Sequence, residues 1–169
     1  MPVRMGRLGR MALGAALIAG LSACAGAPQV TRGAAPGLAL QAGETPQMRA
    51  LIDRVAAEQG VPASLVHRVV RRESGYRPGA RNGPYYGLMQ LLPQTARTMG
   101  HGGAPGELLD AETNLRYGVR YLRGAWMLSG GDPDGAVRRY ASGYYYEARD
   151  RCMLVETGLK AREVSRACR

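Results

Sequence analysis

Glu73 is the acidic residue whose position in the sequence is best suited to catalysis. It follows Val66, Val69 and Val70 by seven, four and three residues, so helical periodicity places its carboxyl on the apolar face of one helix. Burial disfavours the charged form of a carboxyl group, and the last turn of a helix adds the negative end of the helix dipole. Both effects would raise the pKa of Glu73, as a general acid requires. The alternative is that the apolar face ends earlier and Glu73 is solvated.

Five amphipathic helices are predicted to position this glutamate. Each opens at a proline or a helix-capping residue, and apolar side chains recur at intervals of three or four residues. The predicted starts are Thr45-Pro46, Pro62, Pro93, Asp110 and Asp132-Pro133. No stretch alternates polar and apolar residues as a half-buried strand does. The domain is therefore predicted to be mainly α-helical, with a glycine- and tyrosine-containing loop over residues 76–86.

The N-terminal 23 residues have the composition of a secretory signal peptide. Three arginines precede an uncharged apolar run over residues 11–21, which is too short to span a bilayer, and small residues follow. The ending Leu-Ser-Ala-Cys resembles a bacterial lipoprotein cleavage box, in which Cys24 would be lipidated. Ala25 after the cysteine favours the outer membrane, facing the periplasm. The alternative is an ordinary secreted protein in which Cys24 has no role.

Three further segments are predicted after the signal peptide. Residues 24–44 are rich in Ala, Gly and Pro and should form a lipid anchor and flexible tether, residues 45–150 the folded domain, and residues 151–169 a C-terminal extension. Lipidation of Cys24 leaves the pair Cys152 and Cys168 in an oxidising compartment. We therefore expect a disulfide that closes a short loop, the alternative being two free thiols.

The composition narrows the classes of function. The chain has 169 residues and a net charge of +10, which favours anionic partners. Two histidines and three cysteines provide no metal-site spacing, and no Gly-Lys-Ser/Thr phosphate loop is present. We therefore expect no metal, nucleotide or other cofactor. The export signal argues against nucleic acid as the partner.

Four sequence blocks follow one another between about residues 48 and 146. They are Glu73-Ser74-Gly75-Tyr76, Tyr86-Gly87-Leu88-Met89-Gln90-Leu91-Leu92-Pro93-Gln94-Thr95-Ala96, Leu109-Asp110-Ala111-Glu112-Thr113-Asn114-Leu115-Arg116-Tyr117-Gly118 with Tyr121-Leu122, and Ala136-Val137-Arg138-Arg139-Tyr140-Ala141-Ser142-Gly143. In this order and spacing they resemble the signatures of the soluble-type lytic transglycosylases, enzymes that cleave bacterial peptidoglycan. The resemblance implies a lysozyme-like fold, here about five helices around a glycan cleft.

The resemblance also implies roles for particular residues. Glu73 would be the sole catalytic carboxyl, and Gln90 would line the sugar cleft. Tyr140 would stand near Glu73 and hydrogen-bond its carboxyl, while Ser74 and Met89 would also contact substrate. Alternatively, Gln90 bonds local backbone, Tyr140 is a core aromatic residue, and Met89 belongs to the core.

The implied reaction cleaves the bond between N-acetylmuramic acid and N-acetylglucosamine and leaves 1,6-anhydromuramyl ends. The chain departs from the family pattern at Ala141, where an Asn is usual, and Ser142 is the nearest possible replacement. Two alternatives therefore remain: a lysozyme-like hydrolase and a catalytically weak peptidoglycan-binding lipoprotein. The expected partners are glycan strands and, through the lipid anchor, a membrane. The protein is expected to be a monomer.

Overall fold

The computed structural model describes residues 39–168. Within this range six α-helices follow one another, together with a two-stranded antiparallel hairpin and two 3-10 turns. The helices are α1 (Pro46–Gln59), α2 (Ala63–Ser74), α3 (Pro93–Thr98), α4 (Ala111–Leu128), α5 (Pro133–Ser142) and α6 (Tyr145–Asp150). The strands are β1 (Arg81–Asn82) and β2 (Tyr85–Tyr86), and the 3-10 turns are Pro105–Leu109 and Arg166–Cys168. The expected signal peptide, the lipidation site Cys24 and the tether up to residue 38 lie outside the described residues.

The helix starts follow the capping chemistry of the sequence. Thr45 Oγ1 accepts a hydrogen bond from the Met48 N–H at 3.1 Å, and Asp110 Oδ1 accepts one from Thr113 N–H at 2.8 Å. Asp132 caps α5 through the N–H groups of the first turn. These bonds satisfy backbone donors that have no partner inside the helix. The predicted starts of these three helices are therefore confirmed.

Helix α4 lies at the centre of the fold and contacts α1, α3 and α5. Its apolar face contributes Leu115, Val119 and Leu122, all fully buried, to the core, which also includes Ile52 of α1 and Val66 of α2. Burial of this size stabilises the fold by about 1.5–3 kcal/mol for each large apolar side chain. The prediction of a mainly α-helical domain is confirmed.

Two elements were not expected from the sequence. Helix α6 forms beyond the five predicted helices, because Ala148 is fully buried and Glu147 accepts two hydrogen bonds from Arg139, each 2.8 Å long. The β1–β2 hairpin forms inside the predicted loop over residues 76–86. Strands of two residues are too short to give a periodic pattern, so the sequence could not reveal them.

Residues 39–44, expected to belong to the flexible tether, pack against the end of α2. The side chain of Glu44 is 0% exposed and pairs with Arg49, with the closest N–O distance 2.6 Å. A Cβ on Gly43 would stand 2.6 Å from the carbonyl oxygen of Gly75, so the two backbones are in close contact there. This segment therefore supports the chain directly after Glu73.

The C-terminal extension is also packed onto the domain. A disulfide joins Cys152 and Cys168, whose Cα atoms are 5.4 Å apart. Leu154 is fully buried and Leu159 is 9% exposed, and both belong to the main core cluster.

Within residues 39–168, no helix is both long and apolar enough to cross a membrane.

Candidate functional site

Glu73 lies in the last turn of α2, one residue before the helix ends at Ser74. Gly75 follows in the left-handed conformation, with a φ of 58°. The Glu73 side chain is 23% exposed, so it lies on the border between the core and solvent. This position combines partial desolvation with access from outside.

Burial raises the pKa of the Glu73 carboxyl above its usual range. The opposing influence is the positive charge of Arg72, whose Nε lies 3.7 Å from Glu73 Oε1 and lowers the pKa by a smaller amount. Among the described residues, no second carboxylate contributes to this shift. Glu73 therefore holds its proton to a higher pH than an ordinary glutamate does.

The other arginines near Glu73 in sequence bind elsewhere. Arg68 pairs with Asp134 at 2.6 Å, and Arg71 donates a hydrogen bond to the side chain of Gln41 at 3.1 Å. Arg77 donates to the backbone carbonyl of Ser74 at 2.8 Å. Because these cations are held by other partners, they leave the carboxyl of Glu73 without a strong ion pair.

Tyr140 projects from α5 into the same region. Its hydroxyl donates a hydrogen bond to the backbone carbonyl of Met89 at 2.7 Å, and its ring meets the edge of Tyr121 at 5.5 Å. Burial and the negative charge of Glu73 raise the pKa of Tyr140 far above its usual range. Tyr140 is thus close enough to Glu73 for their charges to interact, but its hydroxyl donates its hydrogen bond to the Met89 carbonyl and not to the Glu73 carboxyl.

Gln90 occupies a tight turn that leads into α3. Its φ of 47° is unusual for a residue with a side chain. The amide Nε2 donates hydrogen bonds to the backbone carbonyls of Gly87, at 2.9 Å, and Ala80, at 3.3 Å. The side chain is half-buried, and its amide nitrogen bonds local backbone, as in the alternative interpretation of the sequence.

The structure places the side chains of Ser74 and Met89, which were expected to contact substrate, in the core. Ser74 is 3% exposed, and its hydroxyl donates to the carbonyl of Val70 at 3.2 Å. Met89 lies in the turn before α3, is fully buried, and packs its side chain against Gly118 of α4. Ser74 differs in direction from Glu73 because neighbouring residues on a helix lie about 100° apart around the axis.

Asn114 is a structural residue of the site that sequence reasoning missed. It is fully buried in the first turn of α4, and its Nδ2 donates to the carbonyls of Tyr86 and Leu108, both at 2.8 Å. Its Oδ1 accepts the N–H of Met89 at 2.8 Å. One side chain therefore joins the hairpin, the turn before α3 and a 3-10 turn. Its spacing of four residues from Gly118, on the buried face of α4, is the signal that could have revealed it.

The β1–β2 hairpin and the end of α5 carry further aromatic and polar residues. Tyr85 is 41% exposed, and the guanidinium of Arg81 lies 4.7 Å from the ring centre of Tyr86. Ala141 is exposed, and the hydroxyl of Ser142 donates back to the carbonyl of Arg138 at 3.0 Å. Ser142 therefore uses its proton within the helix and does not replace the usual Asn in this structure.

The described residues contain no group of three or more His, Cys, Asp or Glu side chains that could hold a metal ion. The described part of the site provides one half-buried carboxyl, a nearby tyrosine and backbone polar groups. A carboxyl with a raised pKa can donate a proton and, once ionised, take one back.

The chain is similar to known proteins in both sequence and fold. The chain is 33% identical over 81 residues to the soluble lytic murein transglycosylase of Escherichia coli K12. This match covers 43% of this chain and 12% of that protein. The crystal structure of the 70 kDa soluble lytic transglycosylase from Escherichia coli matches with a TM-score of 0.53 and 29% identity, over 64% of this chain and 18% of that one. The chain therefore spans less than a fifth of the relatives it matches.

A second solved structure, the complex of the 70-kDa soluble lytic transglycosylase with bulgecin A, matches with a TM-score of 0.53 and 28% identity, over 64% of this chain and 18% of that one. These matches confirm the lysozyme-like fold class expected from the sequence. The family model for the transglycosylase SLT domain matches residues 50–150, which include Glu73, Gln90, Asn114 and Tyr140. The chain belongs to the transglycosylase SLT domain family.

Proposed function

We propose that the protein is a peptidoglycan lytic transglycosylase in which Glu73 is the only acid and base. The observation that carries this proposal is a half-buried carboxyl with a raised pKa and no second carboxylate acting on it among the described residues. Retaining hydrolysis by glycosidases ordinarily needs two carboxyl groups about 5 Å apart. A reaction that uses one carboxyl twice suits this arrangement better.

In the first step, protonated Glu73 donates its proton to the glycosidic oxygen between N-acetylmuramic acid and N-acetylglucosamine. The bond from that oxygen to C1 of the muramyl residue breaks, and the N-acetylglucosamine end leaves as an alcohol. In the second step, ionised Glu73 takes the proton from the muramyl 6-hydroxyl, whose oxygen bonds to C1. The product is a 1,6-anhydro end, no water is consumed, and Glu73 is protonated again for the next cycle.

Tyr140 and Asn114 would act as positioning residues in this reaction. Both bind the backbone of Met89, through its carbonyl and its N–H respectively, and so fix the turn that carries Gln90. The hydroxyl of Tyr140 also retains lone pairs that can accept the proton of Glu73. In this proposal Gln90 lines the glycan cleft through the amide oxygen that its local hydrogen bonds leave available.

We also propose that the protein works in the periplasm, attached to the outer membrane through a lipid on Cys24. The support comes from the sequence of residues 1–24 and from the substrate, since peptidoglycan lies in the cell envelope. In this arrangement glycan strands are the partner, and the protein acts as a monomer.

Mass spectrometry of muropeptides tests the reaction. Purified peptidoglycan is treated with protein lacking residues 1–24, or with its Glu73→Gln variant, and the released fragments are weighed. Fragments lighter by one water than hydrolytic products, absent with the variant, would support the proposal. Fragments with water added would replace it with a lysozyme-like hydrolase.

Bulgecin A provides a control that does not depend on catalysis. Because a related enzyme has been solved in complex with this compound, we expect it to bind this chain as well. A protein that binds bulgecin A yet releases no fragments would favour the peptidoglycan-binding alternative. In that case Ala141, in place of the usual Asn, would be the first residue to restore.

A further inference from the structure

A cavity of about 470 Å³ lies away from Glu73, across helix α4. Gly118 and Tyr121 of α4 face the site, where they contact Met89 and Tyr140. Arg120 and Arg123 line the cavity. Each lies two residues further along α4, so it is rotated by about 200° and lies on the opposite side of the helix. The width of α4, roughly 10 Å, separates the two regions.

One wall of the cavity comes from the C-terminal extension. Glu156, Thr157 and Gly158 line it and lie beyond residue 150, where the match to the family model ends. The wall is held in place because Thr157 is 2% exposed and its hydroxyl donates to the carbonyl of Met153 at 2.6 Å. The disulfide between Cys152 and Cys168 closes the extension around it. The cavity is thus a feature that the extension adds to the domain.

The cavity presents two fixed positive charges. Arg120 Nη1 donates to the carbonyl of Met99 at 2.8 Å, and Arg123 Nη1 donates to the carbonyl of Glu156 at 3.3 Å. Each bond orients the guanidinium but uses only one of its five N–H groups. Neither arginine forms an ion pair with a carboxylate within residues 39–168. Oriented guanidinium groups that lack a carboxylate partner are suited to binding a carboxylate from outside.

The same cavity also contains acidic side chains. The cavity is also lined by Glu58, from the end of α1, and by Glu156, from the extension, whose charge is opposite to that of the two arginines. Glu58 is bound to Arg54 at 3.0 Å, whereas no ion pair engages Glu156 among the described side chains. A ligand that carries both carboxylate and ammonium groups would match this lining better than a simple anion.

We propose that this cavity, the extension pocket, binds a short peptide with free carboxylate and ammonium groups. The inference rests on the proposed function, because it takes the ligand to be a peptide stem of peptidoglycan, which carries both groups. Arg120 and Arg123 bind the carboxylates, and Glu156 binds the ammonium. The pocket holds a stem about one helix width from the cleft, so it anchors the polymer without taking part in the chemistry.

Isothermal titration calorimetry with a defined probe tests the extension pocket. The probe is the tripeptide L-Ala-γ-D-Glu-meso-diaminopimelate, added to protein lacking residues 1–24. We expect the double variant Arg120→Gln/Arg123→Gln to weaken binding by about tenfold or more, as for loss of charge-assisted hydrogen bonds. Arg116→Gln is the matched control, since Arg116 is an exposed arginine of α4 outside the cavity. Its affinity should be that of the unmodified protein.

Two further measurements make the result specific. The tripeptide with its carboxylates amidated should bind at least about tenfold more weakly than the free acid. Arg123→Lys keeps the positive charge, so it should bind the tripeptide more tightly than Arg123→Gln does. Equal affinity of these two variants would mean that a loosened extension, and not the missing charge, explains the weaker binding. No binding to the unmodified protein, or equal binding by the double variant, would overturn the proposal.

The failure of this inference can be told apart from failure of the proposed function. Release of anhydro fragments without tripeptide binding would overturn the pocket and leave the transglycosylase intact. Tripeptide binding that depends on Arg120 and Arg123, without fragment release, would keep the pocket and overturn the reaction. Glu73→Gln should bind the tripeptide as the unmodified protein does, because the extension pocket and Glu73 lie on opposite sides of α4.

Discussion

Glu44 and Glu73 are two glutamates near the same end of α2, yet their surroundings have opposite effects. Glu44 is less exposed to solvent, with a side chain that is 0% exposed against 23% for Glu73. Hydrogen bonding to Arg49 nevertheless lowers the pKa of Glu44, and the N–H of Gln41 acts in the same direction. The pKa of Glu73 is raised, because burial outweighs the single charge of Arg72.

The comparison shows that burial alone does not decide the protonation state of a carboxyl group. Two donors from Arg49, at 2.9 and 2.6 Å, stabilise the charged form of Glu44. Within residues 39–168, the cation that acts on Glu73 is Arg72 at 3.7 Å, and no hydrogen bond of that quality reaches the Glu73 carboxyl. Glu44 is therefore a structural anion, and Glu73 is a carboxyl that can exchange its proton. The difference predicts opposite consequences when each is replaced by glutamine.

Glu73→Gln should cause the largest change in activity. The amide keeps the shape of the side chain but cannot donate and recover a proton, so release of muropeptides should fall by about 10²–10⁴-fold, the contribution of a general acid or base. Fragment release measured by mass spectrometry checks this expectation. The variant should also be more stable than the unmodified protein at pH 7, by about 0.5–1 kcal/mol in the free energy of unfolding, because a partly desolvated charge has been removed. A variant with full activity would exclude Glu73 as the acid.

Glu44→Gln should instead reduce stability and have little direct effect on the chemistry. The neutral amide leaves Arg49 and His67, which lies 3.4 Å from Glu44, without the carboxylate they contact. The expected loss is about 1–3 kcal/mol in the free energy of unfolding, measured with urea. Glu58→Gln is a suitable control, because Glu58 is an exposed partner of Arg54. An equal loss of unfolding free energy in both variants would mean that the contacts of Glu44 with Arg49 and His67 contribute no more than an exposed ion pair.

The pH dependence of these two stability changes should have opposite signs. The pKa of Glu44 in the folded state lies below its ordinary value of 4.5, so its stabilising effect is complete above that pH and is lost as the pH falls through the folded pKa. The pKa of Glu73 lies above 4.5, so its destabilising effect is present above the folded pKa and disappears below 4.5. Urea unfolding between pH 3 and 8 gives the free energy of unfolding of each variant relative to the unmodified protein. Near pH 8 this difference should be negative for Glu44→Gln and positive for Glu73→Gln, and both differences should shrink in acid. Parallel curves would contradict the assignment.

Local features of this site were predictable from the sequence, and contacts between distant segments were not. Helix periodicity located Glu73 at the edge of the core, and the caps Thr45, Asp110 and Asp132 act within three residues of themselves. The bonds of Met89 to Asn114 and to Tyr140 join residues 25 and 51 positions apart. No spacing rule reports such pairs, because they depend on how α4 and α5 pack.

The burial of Ser74 and Met89 also depends on packing that the sequence does not show. The family resemblance implies that both contact substrate. Neighbours in a helix or tight turn point in different directions, and these two side chains complete the core. Membership of a matching block therefore does not decide which side chains are exposed.

Arg72→Gln should have the smallest effect and tests the electrostatic part of the comparison most directly. Removal of this charge takes away the one influence that lowers the pKa of Glu73, so the acid form should persist to higher pH. The alkaline limb of the kcat/KM profile should move upward by less than about one pH unit, since an exposed ion pair contributes about 0.2–1 kcal/mol. Arg68→Gln is the matched control, because Arg68 is paired with Asp134. If the limb moves downward, or moves equally in the control, burial and Arg72 do not set the pKa of Glu73 as the geometry indicates.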